Sequence, residues 1–254
     1  MTAYLDNNII VSLENGDFTF EEVMDLFPEN KIRFFYSSAH IFEAEAFKGN
    51  AFMRKDEFLL QRFKSIRYLF KNNYLFVNPG ENRITHIIED PKEVYDTITL
   101  VPFGIEAMKG FMNIFSKEQK QEARDQIGID IQKLNNYNSI EIIEHLSAKL
   151  SKWGTNMSFI EMIEAGIKLH PNGNTLGLHN RIAGVFELLD MLGYWKDKET
   201  ETSNYARLWD ADHSFFASYC DYFVCNDKRT RQKTDVVYNI YNINTKIISL
   251  KTSG

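Results

Sequence analysis

Short apolar runs that stop at an acidic or amide residue alternate along this chain with longer stretches of helical period. Residues 3–6 and 9–13 flank Asp6 with β-branched and aromatic side chains, which predicts a short buried strand running into a helix or turn. Residues 18–27 have the spacing of an amphipathic helix, with Thr19 as N-cap before Glu21 and Glu22, closed by Pro28 and Asn30. Residues 31–37 are aromatic-rich and read as a second strand. Ser37 or Ser38 then caps a helix that carries His40, Phe42, Glu43 and Phe47. A long helix is expected over 55–71, where Leu59, Phe63, Ile66, Leu69 and Phe70 recur at helical spacing.

Residues 74–90 read as a strand pair about the turn cluster at 78–82. From 92 to 195 the pattern is almost wholly helical. Breaks fall near Ser116 and at 128–130, 135–139, 153–158 and 171–173. The polar run 196–204 reads as a loop, 210–219 as a helix, 222–225 as a short buried strand and 246–250 as a last strand. Residues 235–243 fit strand or helix. Strands alternating with helices at both ends of the chain argue an α/β sheet. Acids at the carboxyl ends of such strands lie where these sheets bind ligands.

Composition narrows the picture. The 254 residues are 44% hydrophobic and 14% aromatic, enough for a sizeable core, which argues against disorder as a whole. The net charge of −6 gives no chain-wide basic footprint, so indiscriminate nucleic-acid binding is not indicated. A local basic patch still can hold phosphates. No apolar stretch reaches the roughly 18 residues of a spanning helix. The opening residues carry neither a basic region nor a long apolar run, so a cytoplasmic protein without signal peptide or membrane partner is expected. Cys220 and Cys225 flank a strand, so a bridge between them is not expected.

Four acids stand out: Asp6 after the first strand, Glu43 one turn into the helix after the second, Asp210 at a helix start, and Asp227 after the strand that follows. Carboxylates parked at strand ends suit one or two Mg²⁺ or Mn²⁺ ions, about 3.5–4 Å apart if paired, that activate water for phosphodiester hydrolysis. Asp212 competes with Asp210 for the ligand role, and Glu45 with Glu43. The basic run holding Lys228, Arg229 and Arg231 follows Asp227 directly. It is read either as a solvated helix start or as a phosphate contact.

These residues resemble the pattern of PIN-like domain nucleases. The opening Leu5-Asp6-Asn7-Asn8-Ile9-Ile10 is similar to the family's first strand ending in Asp. The segment 37–43 is similar to the early helix with its second acid. Asp210, His213 and Ala217 match the later helix, and residues 224–227 match the closing strand, except that Cys225 stands where the family usually has a hydroxyl residue. The resemblance implies a PIN-like α/β fold: a central, mostly parallel sheet flanked by helices. The whole chain would be one domain, with its core at 1–50 and 205–250 and a large helical insertion over about 51–204. It implies a metal-dependent nuclease, an endoribonuclease first, of the toxin or phage-defence type. Asp6, Glu43, Asp210 and Asp227 would be catalytic metal ligands for Mg²⁺ or Mn²⁺. Lys228, Arg229 and Arg231 would meet substrate, and Asn7, Asp212, His213 and Asn226 would support the site. The partners implied are a nucleic acid, single-stranded RNA first, an antitoxin or defence-complex protein, and a second copy of the chain.

Blander roles stand beside these. Asp6, Asp210 and Asp227 also suit caps and turns, and His40 and His213 suit packing behind the acids. The competing reading for the whole chain is a non-catalytic, degenerate PIN-like module that acts through its helical middle, where many aromatics offer an interface. A metal-dependent phosphatase of small molecules is a third reading.

Overall fold

A computed structural model describes residues 1–28, 31–47, 53–78, 83–98, 117–129, 137–152, 157–169, 177–195 and 201–250. The chain divides into two compact units. The first comprises Met1–Phe103, Phe216–Asp227 and Asn244–Gly254; the second comprises Gly104–Phe215 and Lys228–Ile243.

The first unit is built on a six-stranded sheet: β1 (Thr2–Leu5), β2 (Arg33–Ser37), β3 (Asn73–Asn78), β4 (Arg83–Ile88), β5 (Tyr222–Val224) and β6 (Lys246–Ile248). The spatial order is β4-β3-β2-β1-β5-β6. All neighbours pair in parallel except β3 and β4, which form an antiparallel hairpin. Its helices are α1 (Asn7–Asn15), α2 (Phe20–Met24), α3 (Ser38–Ala46), α4 (Lys55–Phe70) and α5 (Pro91–Ile98). A mostly parallel sheet flanked by helices, with a helical insertion, is a generic Rossmannoid α/β architecture. Chain order reverses at β1, which has β2 on one side and β5 on the other.

Local chemistry sets these elements. Thr19 and Glu22 close a reciprocal capping box on α2. The Ser37 side chain accepts from Ala39 N to cap α3. Helix α1 stops at Gly16, whose left-handed φ of 76° a side chain would strain. The amino-terminal ends of β1 and β5 are clipped together: Thr2 N donates to Asp221 Oδ2 at 2.7 Å, and Asp221 N donates to Thr2 Oγ1 at 3.0 Å. Under the sheet, Leu5, Ile9, Ile10, Phe34, Tyr36, Phe63, Ile66 and Phe70 form a continuous apolar core.

The second unit is helical in its described residues: α6 (Lys117–Ile127), α7 (Ser139–Lys152), α8 (Phe159–Leu169), α9 (Leu178–Leu192), most of α10 (Glu201–Ala217), and α11 (Lys228–Ile240). Helix α11 packs on α7 and α9, and α9 packs on α6 and α8. Ile142, Leu146, Phe159, Ile182, Val185, Leu189 and Val237 are buried here, so the unit has its own core. The breaks expected at 135–139 and 153–158 hold the caps of α7 and α8, where Asn138 pairs with Glu141 and Ser158 with Glu161. The breaks near Ser116 and at 171–173 lie outside the described residues. Residues 201–204, expected in a loop, instead begin α10. Of residues 235–243, those up to Ile240 end helix α11 and 241–243 follow it, without a strand. Among the described residues no helix is long and apolar enough to cross a membrane.

Candidate functional site

In the first unit the carboxyl ends of β1, β2 and β5 meet where the strand order reverses, the position at which open α/β sheets place ligands. Asp6 extends the β1–β5 ladder, with its N donating to Val224 O at 2.9 Å. Its carboxylate is 1% exposed. Although Asp6 is the N-cap residue of α1, its side chain makes no cap bond. Asp6 Oδ2 instead accepts from the Cys225 thiol and from Asn8 Nδ2, each at 3.2 Å. A carboxylate so deeply buried requires donors, and residues two and 219 positions away supply them.

His40, on α3, is wholly buried and bridges β1 and β2. Its Nε2–H donates to Leu5 O at 2.8 Å, and its Nδ1 accepts from Ser37 N at 3.1 Å. That pattern fixes the neutral tautomer with the proton on Nε2. The Tyr4 hydroxyl lies 2.6 Å from Ser37 Oγ and 3.3 Å from His40 Nδ1. This belt of groups orients β1 against β2 and commits both nitrogens of His40 to protein partners.

The remaining expected residues are spread through the two units. Glu43 is half-buried on α3. Its rival Glu45 forms an ion pair with Lys55, the first residue of α4. Asn7 accepts from the Arg62 guanidinium, and Asn226 Oδ1 accepts from Ser249 Oγ and Leu250 N after β6. Asp227 follows β5, and its backbone carbonyl lies 3.7 Å from Cys225 Sγ, whose one proton is directed at Asp6. Lys228, Arg229 and Arg231 occupy the first turn of α11 in the second unit, the first two of them exposed.

Asp210 lies well inside α10, not at its start, because that helix begins at Glu201. Asp212 is paired with His179 of α9 within the second unit. His213 and Ser214 are wholly buried. Burial pulls the His179 pKa down, but the charge and hydrogen bond of Asp212 outweigh it and leave the group above its ordinary value.

The metal reading does not survive this arrangement. Among the described residues, no group of three or more His, Cys, Asp or Glu is placed to hold a metal ion. Asp6, Glu43 and Asp227 belong to the first unit and Asp210 to the second. The expected Mg²⁺ or Mn²⁺ cofactor and the metal-dependent nuclease or hydrolase activity are therefore corrected. At Asp6 the buried carboxylate already accepts from a thiol and an amide.

Two features escaped the sequence pattern. Arg62, 2% exposed, donates from Nε and Nη2 to both oxygens of Glu14 at 3.0 Å. Lys233 Nζ lies 3.5 Å from Asp190 Oδ1, with both side chains 2% exposed. Arg62 stands within the apolar stripe of Leu59, Phe63 and Ile66, and Lys233 stands on the buried face of α11 with Thr230, Thr234 and Val237. Compared with protein-family models, with curated proteins and with solved structures, the chain matches none.

Proposed function

We propose that this chain is a non-catalytic, PIN-like interaction module whose contacts with a protein partner run through its helical middle. The observation that carries this reading is the absence, among the described residues, of any group of three or more metal-ligating side chains, with Asp6 engaged by Cys225 and Asn8. The PIN-like part of this reading rests on the sequence resemblance, to which the acid after β1 and the serine that caps the helix after β2 belong. The helical middle supports the role by forming a compact unit with a core of its own, and by leaving Ile140 of α7 57% exposed.

The test has two arms. Calorimetric titration of the full chain with Mn²⁺ should give no binding heat, and single-stranded RNA or DNA should stay intact with Mn²⁺ or Mg²⁺. Metal-dependent cleavage that disappears in Asp6→Asn would overturn the non-catalytic assignment. Lysine-directed cross-linking in the native cell, read by mass spectrometry, should place partner cross-links on Lys149 and Lys168 of the helical unit. Cross-links confined to Lys71 and Lys92 of the sheet unit would overturn the assignment of the surface.

A further inference from the structure

Among the described residues, strand β4 is the terminal strand of the sheet. Sheet edges are ordinarily blunted by lysine, proline or brevity. Strand β4 is six residues long, carries three isoleucines and has neither lysine nor proline. Ile88 is 65% exposed, and His86 is exposed beside it.

The backbone direction along this edge follows from one bond. Glu89 N donates to Asn72 O at 2.9 Å, so positions 72 and 89 form a hydrogen-bonded pair continuing the β3–β4 register. Hydrogen-bonded and non-bonded pairs alternate in an antiparallel ladder. Arg83, Thr85 and Ile87 therefore turn their backbone groups toward β3, and Ile84, His86 and Ile88 turn theirs outward.

We propose that a second copy of this chain pairs with β4 across that edge, antiparallel, about a two-fold axis at His86. With His86 opposite His86 of the other copy, Ile84 falls opposite Ile88. The three outward-facing positions then exchange backbone bonds only with one another, as a closed isologous interface requires. The same register sets Arg83 opposite Glu89 in a non-bonded pair, where side chains stand closest.

Charge complementarity favours a second copy over an unrelated strand. Arg83 is exposed and, among the described residues, makes no ion pair. Burial, followed by the hydrogen bond and charge of Glu93, raises the Glu89 carboxyl above its ordinary value. A cation delivered to Glu89 relieves that crowding, and two-fold symmetry supplies it twice. The two Ile84–Ile88 pairs cover apolar surface that the separate chain leaves in water.

Sedimentation equilibrium of the full chain tests the pairing. A monomer–dimer equilibrium is expected, with Arg83→Glu raising the dissociation constant roughly tenfold and the double variant Arg83→Glu/Glu89→Arg restoring it. Mild oxidation of His86→Cys should give a disulfide-linked dimer, since bonded partners have Cα atoms about 5.5 Å apart, within disulfide reach. Arg83→Cys should not, because its symmetry mate is six residues away along the strand. Native thiols do not confuse the readout: Cys220 and Cys225 are buried, and burial pushes Cys220 up to about 12. A chain that stays monomeric to its solubility limit overturns the proposal. So does a dimer indifferent to the charge swap, or equal cross-linking of the two cysteine variants.

Discussion

The Cys225 thiol at the end of β5 donates to Asp6 Oδ2 at 3.2 Å, joining two residues 219 positions apart. The two strands behind them are parallel neighbours, with Leu5 beside Val224. The thiol therefore does for the carboxylate what a hydroxyl would do: it satisfies a buried acceptor.

Cys225→Ala removes a donor and leaves the Asp6 carboxylate under-satisfied. The expected loss is about 1–3 kcal/mol, measured by urea unfolding. Cys225→Ser should lose less, because a hydroxyl donates to the same oxygen. Equal losses in the two variants would show that the Cys225–Asp6 bond contributes nothing and that packing alone matters.

The Arg62 guanidinium spans α4 and α1 by its two bonds to Glu14. Arg62→Met strands a carboxylate that is only 11% exposed, and should cost roughly 3–5 kcal/mol. The double variant Arg62→Met/Glu14→Leu should recover most of that loss. If it is no more stable than the single variant, the ion pair is not the source of the cost.

Asp190 and Lys233 form the corresponding pair of α9 and α11. Lys233→Met removes the cation beside the buried Asp190 and should destabilise the second unit by about 3–5 kcal/mol. A double-mutant cycle with Asp190→Leu should return a coupling of more than about 1 kcal/mol. Additive losses would place the two charges in independent environments.

His179 has a folded pKa above its ordinary value because Asp212 is beside it, the opposing effect of burial notwithstanding. A group raised on folding adds stability that is complete below its unfolded pKa, about 6.5. That stability is lost as pH rises through the folded value. Wild type should therefore exceed Asp212→Asn in stability most in mildly acidic buffer, and the gap should narrow in mildly alkaline buffer. The effect is small, since the His179 side chain is 39% exposed and solvent screens the pair. Chemical denaturation across pH measures it, and a gap that widens with rising pH would contradict the assignment.

The local elements were legible because their signals are local. Thr19 with Glu22, Ser37 ahead of Ala39, and Gly16 in a left-handed turn each act within a few residues of backbone, so chain order alone exposes them. The stripe from Leu59 to Phe70 likewise marks the buried face of α4. The start of α10 was missed because polar residues 201–204 have no apolar partner to set a period, so their helical state is decided by the helix they extend.

The candidate residues could be read along the chain, but the Mg²⁺ or Mn²⁺ ion assigned to them was not borne out. Period and spacing along the chain were enough for an acid at the carboxyl end of β1, a capped helix after β2, a strand before Asp227, and an alternation of elements that admits a parallel sheet. What those acids face was settled by packing between distant segments. Whether a carboxylate meets a metal or a thiol depends on side chains delivered by distant strands, and sequence spacing carries no information on their direction. The fold turned Cys225 and Asn8 toward Asp6, and gave Glu45 to Lys55 and Asp212 to His179.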